Sequence, residues 1–197
     1  KSASQRFNDV VTARWMTLVS EKRIHLIGFD HITQLRAPKG ILLAANHRSF
    51  FDQYIIAVYM SKYTDLCRRV FFPVRSSFFY ERYLGVAVNL LVSSMAMYPP
   101  VFRDPAKKAL TREGLDFLVD QLQEPNTMVG IHPEGTRKKD DDPYTLLPAE
   151  PGFGRVALQA NTMILPVFIN GMSNDFVKEC TTGLNGSGEH IIVVFGK

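Results

Sequence analysis

Cysteine is scarce, with 2 in 197 residues, and tryptophan scarcer, with 1. Cys67 and Cys180 stand in no metal or redox spacing, which argues against a disulfide framework and for a reducing compartment. Charge of one sign is lacking too. The 23 Lys and Arg against 19 Asp and Glu leave a formal +4, dispersed along the chain. No recognition motif or basic stripe of a nucleic-acid binder is present, so no nucleic-acid partner is expected, although a small basic excess suits anionic surfaces and phosphorylated ligands. Long apolar runs are missing as well. Residues 85–102 are uncharged, but Asn89, Ser93, Ser94, Pro99 and Pro100 interrupt them, so they read as a buried helix and strand rather than a membrane span. Signal-peptide patterns, repeats and low-complexity tracts are absent.

What remains, 46% hydrophobic, is enough for one domain with a sizeable core. The chain opens on Lys1 and stops just after the strand-like 191–195, so it is expected to be a domain, 1–197, taken from a longer protein, with a helix in 1–23 before a core of 24–197. In that helix, over 6–20, Phe7, Val10, Val11, Arg14, Trp15, Leu18 and Val19 recur at helical spacing. This face suits core packing or a membrane surface, with Trp15 at the interface. Strands are expected at 24–29, 41–45, 70–74, 98–102, 127–131, 164–169 and 191–195, and helices at 51–61, 81–95, 105–123 and 153–161. The alternation predicts an α/β domain with one central mixed, largely parallel sheet flanked by helices. Residues 138–151 and 170–188 read as polar rims, with Lys138 and Lys139 solvated. Aromatics interleaved with Arg75 and Arg82 over 71–83 suit a core or the border of an acyl-chain tunnel.

Two polar words follow buried-strand patterns. After 41–45 comes Asn46-His47-Arg48-Ser49-Phe50-Phe51-Asp52. On one helix, residues five apart point roughly 140° away from each other at about 3.6 residues per turn, so His47 and Asp52 meet only across a turn. A neutral imidazole oriented by a carboxylate takes a proton from a hydroxyl near neutral pH. After 127–131 comes His132-Pro133-Glu134-Gly135-Thr136-Arg137, where a fixed φ, a tight-turn glycine, a hydroxyl and a guanidinium together suit a phosphate. His132 itself reads as a strand-end histidine satisfied by backbone. Alternative uses of these groups are a metal hydrolase built on His47, Asp52, His132 and Glu134, and a non-catalytic lipid-binding module.

The two words, in this order and spacing, resemble the boxes of the glycerolipid acyltransferase family, which includes bacterial lysophosphatidic acid acyltransferases. Val101-Phe102-Arg103 and Ile164-Leu165-Pro166-Val167 match its weaker boxes by position, so the resemblance spans roughly 24–170. His132 departs from it, standing where an aromatic residue usually opens the third box. The resemblance implies a glycerol-3-phosphate acyltransferase-like fold and an O-acyltransferase in which His47 is the general base and Asp52 its orienting carboxylate. Arg103, Glu134, Gly135, Thr136 and Arg137 would form the acceptor site, the arginines binding phosphate. It implies an acyl-CoA or acyl-carrier-protein co-substrate and no bound cofactor or metal. It further implies a lysophosphatidic acid or related glycerol phosphate acceptor, with a sugar, polyketide or amine as other possible acceptors, and work at the cytoplasmic face of a membrane in phospholipid biosynthesis.

Overall fold

The computed structural model describes residues 13–92, 97–140 and 142–197. In chain order its elements are α1 (Ala13–Ser20), β1 (Ile24–Ile27), α2 (Phe29–Gln34), β2 (Ile41–Ala45), α3 (Asp52–Tyr63), β3 (Arg69–Phe71), β4 (Val74–Arg75), α4 (Ser76–Phe79), α5 (Tyr83–Val92), β5 (Pro100–Val101), α6 (Lys108–Leu122), β6 (Thr127–Ile131), α7 (Pro151–Ala160), β7 (Met163–Asn170), α8 (Phe176–Asn185) and β8 (Ile191–Phe195). Among the described residues, six strands form the main sheet in the order β1-β8-β7-β2-β6-β3, parallel except where β8 runs against β7. This is the expected mixed, largely parallel α/β sheet.

β2 and β6 are buried along nearly their whole length, and apolar but for Thr127, because both faces are covered, as in parallel sheets generally. Alternation along β2 splits the core. Ile41, Leu43 and Ala45 join the larger cluster with Ile55, Ile56 and Met60 of α3, whereas Leu42 faces Leu118, Leu122, Val156 and Ala160 of α6 and α7. For the site, the register is what matters. Ala44 pairs with Ile131 in parallel strands, so the segments that follow β2 and β6 leave the sheet side by side. Two words about 80 residues apart in sequence are thereby brought to one sheet edge, beyond the carboxyl ends of the strands, where ligands bind on open α/β sheets.

Several expectations are corrected. The strand at 24–29 ends at Ile27, because Gly28 turns left-handed at φ 72 and opens α2. The strand at 70–74 is two: β3 joins the main sheet, and beyond Phe72-Pro73 the short β4 pairs with β5 in a separate parallel ribbon. Pro99 and Pro100 have no N–H for a ladder, which keeps the strand expected at 98–102 to two residues outside the main sheet. Helix α8 occupies the expected rim at 170–188, capped by the Asp175 carboxylate on the Lys178 amide. Of the helix expected over 6–20, the part at 6–12 lies outside the described residues. The rest is α1, which buries Met16 and Val19. Among the described residues no helix is long and apolar enough to cross a membrane.

Candidate active site

The site starts at the end of β2. The Asn46 amide continues the sheet with its side chain, donating to the Ile169 carbonyl at 2.9 Å and accepting from the Ile169 amide at 2.7 Å, so β2 and β7 are clipped together beside the next residue, His47. The chain then turns tightly into α3, and Asp52, its first residue, faces back along the turn. Its Oδ2 accepts from the amides of Arg48 and Ser49, each at 2.7 Å, and lies 3.2 Å from His47 Nδ1. The required turn is present, and the Asp52 carboxylate nucleates it. Asp52 is fully buried, and its Oδ1 has no hydrogen-bond partner among the described residues.

The second word closes on the first. Glu134 is buried and bonds inward: Oε1 accepts from the His47 amide and Oε2 from the Leu147 amide, both at 2.9 Å. Gly135, at φ 62, makes the turn, and a Cβ there would press on Glu150 Cγ at 2.8 Å. Thr136 and Arg137 are exposed, and the Arg137 guanidinium donates to the Asn174 side-chain oxygen. Arg103 lies exposed beyond β5, and among the described residues no hydrogen bond or ion pair ties it to the other site residues. The structure thus brings together His47, Asp52, Glu134, Gly135 and Arg137 and leaves Arg103 apart from their network.

Sequence reasoning missed four members of this site. His132 is satisfied by backbone as expected, its Nδ1 lying 3.0 Å from the Ala45 carbonyl, but its ring also stacks on His47, with centroids 3.7 Å and planes 9° apart. Asn174, in a loop with no local signal, accepts from the Phe50 amide at 3.2 Å and donates to the Arg48 carbonyl at 3.1 Å. Lys138 is buried rather than solvated: its amide donates to the His47 carbonyl at 2.9 Å and its ammonium lies 3.1 Å from the Asp140 carboxylate. Arg48 fastens the same segment by donating to the Asp140 carbonyl at 2.7 Å. The block of two lysines followed by aspartates that starts at Lys138 signals a bound loop only once the partner Arg48 is known.

Electrostatics set the protonation states. Burial, then the nearby Arg137 guanidinium, push His47 down to about 4. Burial raises Asp52 to about 6, with His132 and the Ser49 and Arg48 amides acting against the rise. At pH 7 Asp52 is therefore ionised and His47 neutral. A carboxylate only accepts, so the hydrogen sits on Nδ1 and the Nε2 lone pair is left for an incoming proton. Burial, then His47, push His132 down to about 4 as well.

Ligand atoms of His47, Asp52 and His132 lie within 4.8 Å of one another. They suit an ion poorly. Ring-nitrogen lone pairs lie in the ring planes, and the two planes here are nearly parallel. An ion about 2.0–2.1 Å from both nitrogens would sit well out of at least one plane. Both Glu134 oxygens are also held by backbone amides. This geometry disfavours the metal-hydrolase alternative.

Comparison with curated proteins gives no match. The family model described as Acyltransferase matches residues 26–170, well over half of the chain and all of the site just described except Asn174. The chain belongs to the acyltransferase family.

Proposed function

We propose that this acyltransferase moves a fatty acyl group from an acyl-CoA or acyl-carrier-protein thioester to a hydroxyl of lysophosphatidic acid or a related glycerol phosphate, as a step of phospholipid biosynthesis. The observation that carries the reading is a neutral imidazole whose Nδ1 is 3.2 Å from a buried carboxylate, with an exposed guanidinium close enough to depress its basicity. His47 Nε2 takes the hydroxyl proton as the oxygen attacks the thioester carbonyl carbon. The Asp52 carboxylate stabilises the imidazolium. When the tetrahedral intermediate collapses, the C–S bond breaks and the leaving thiolate takes the proton back from His47, so no group of the protein is acylated and the base is regenerated. Cys67 is buried with its thiol pushed up to about 12, which suits a packing role and no nucleophilic one.

Arg137, exposed at the rim, is the anion contact of this reading, with Thr136 and the turn at Gly135 beside it. Glu134 serves by holding the His47 backbone and the loop at Leu147 in place. General-base help contributes roughly 10² to 10⁴ in rate, and fixing the acceptor hydroxyl against the thioester about 7 to 11 kcal/mol, so the phosphate clamp affects turnover as well as binding. A lysophosphatidic acid acceptor resides in lipid, so this reading includes work at a membrane surface, on its cytoplasmic face. Tyr83 and Leu84 at the start of α5, 98% and 71% exposed, support that contact.

The test is thiol release from acyl-CoA and from acyl carrier protein, each with lysophosphatidic acid, glycerol 3-phosphate or no acceptor, with products followed by mass. Release that depends on the phosphorylated acceptor and is lost in His47→Ala is expected. Release that persists in His47→Ala would remove the base from the mechanism, and wild-type release no faster with either phosphorylated acceptor than with none would remove the phosphate clamp.

A further inference from the structure

Among the described residues, two side chains hold the base and constrain different things. Asp52 selects the nitrogen, because Nδ1 and Oδ2 are 3.2 Å apart and a ring flip would break that bond. One contact at one ring atom leaves the ring free to tilt about it, and 3.2 Å is at the long end for N–H···O. The plane of the ring is set by His132. With centroids 3.7 Å and planes 9° apart, tilting the His47 ring drives its edge into the His132 face. His132 is itself tethered, its Nδ1 donating over 3.0 Å to the carbonyl of Ala45, the last residue of the strand that delivers His47. Base and backing ring therefore hang from one strand end and move together.

We propose that His132 is a positioning residue for the proton-transfer base, holding the His47 imidazole flat so that its Nε2 lone pair keeps one direction toward the acceptor hydroxyl. The proposal rests on the reading of His47 as base and assigns a role to a side chain outside the His47–Asp52 pair. It separates two properties of His132, the flat ring and the Nδ1 donor. Phenylalanine keeps the first, asparagine the second, and alanine neither.

The experiment measures kcat and KM for both substrates in wild type, His132→Ala, His132→Phe and His132→Asn, together with ¹⁵N imidazole spectra of His47 in each. His132→Ala is expected to lower kcat about 10- to 100-fold with both KM values nearly unchanged, the usual consequence of misaligned reacting groups. His132→Phe restores most of the rate, and His132→Asn does not. In the spectra, His47 keeps its Nδ1–H tautomer at pH 7 in every variant that retains Asp52, with sharp lines in wild type and His132→Phe and exchange-broadened lines in His132→Ala, where the ring tilts between orientations. A kcat for His132→Ala within about twofold of wild type, with an unchanged His47 spectrum, would overturn the proposal. So would a His132→Phe protein that folds and is as inactive as His47→Ala, because His132 would then be carrying a proton itself. If wild type turns over no substrate pair, the function proposed above fails, and the His47 spectra still decide whether His132 orders that ring.

Discussion

At the scale of single residues, the proposed dyad sets chemistry against stability. Asp52 is buried, one of its oxygens has no partner among the described residues and its carboxyl is raised to about 6, so the ionised form is one the fold disfavours. Asp52→Asn keeps the shape and removes the charge. Its expected result is a kcat lower by about 10² to 10⁴, since the Nδ1–H tautomer is no longer enforced, together with a melting temperature equal to or above wild type. Activity assays paired with thermal denaturation check both halves, and a large loss of stability would show that the carboxylate is mainly a structural acceptor. In wild type the acid limb of kcat/KM should fall near 6, where Asp52 takes up a proton, rather than near 4, where His47 does. Arg137→Ala should act twice. It raises the KM for a phosphorylated acceptor by about 10-fold or more, as losing a charge-assisted contact does, and it lifts the His47 pKa by removing a nearby positive charge. Acceptor kinetics and His47 titration by NMR measure the two effects separately. His47 and Asp52 were legible because a strand pattern running into His-x4-Asp leaves only a turn between them. The stacked His132 was not, since its contact depends on the β2–β6 register, which no local spacing encodes.

At the scale of elements, the site depends on how closely β2, β6 and α3 approach. Gly130 sits in the fully buried β6 opposite Leu43, and a methyl group there meets the Gln53 side-chain oxygen of α3 and the Phe72 ring. Gly130→Ala is therefore expected to destabilise the fold by about 1–3 kcal/mol, the usual cost of overpacking, and to lower kcat because Gln53 adjoins Asp52. Urea denaturation and kinetics on the same protein test it, and an unchanged midpoint would mean that Gln53 swings clear at no cost. The strands at 41–45, 127–131 and 191–195 could be read to the residue because continuous or alternating apolar runs end at polar turns. Helix α8 could not, since a segment as polar on average as Lys178-Glu179-Cys180-Thr181-Thr182 reads as a rim, although its polar and apolar residues fall on opposite sides once it is helical. Its signal was the Asp175 cap, which resembles any loop aspartate until a helix follows. The β3–β4 break was available in principle from Pro73, whose missing N–H ends a ladder.

At the scale of the whole molecule, the α/β class followed from alternating periodicities, whereas the position of the site depended on a parallel register that joins distant segments. That convergence has a global signature in pH. His47 and His132 fall from 6.5 to about 4 on folding, so between about pH 4 and 6 the unfolded chain holds two protons that the folded protein lacks. Asp52 rises from 3.8 to about 6, so in the same window the folded protein holds one that the unfolded chain lacks. The difference is one proton in favour of the unfolded chain. Stability contributed by the two histidines is present above 6.5 and lost as pH falls toward 4, while the Asp52 contribution has the opposite sign and is half as large in protons. Unfolding free energy should accordingly decrease by about 1.4 kcal/mol for each pH unit of acidification across the window. Denaturant titrations at half-unit pH intervals measure the slope. In Asp52→Asn the opposing proton is gone and the slope should approach twice the wild-type value. In His132→Phe one imidazole is gone and the remaining histidine and Asp52 nearly cancel, so the curve should flatten. A wild-type curve already flat between pH 4 and 6 would mean that the two rings are not kept neutral together, and that the stacked pair shares a proton within the folded protein.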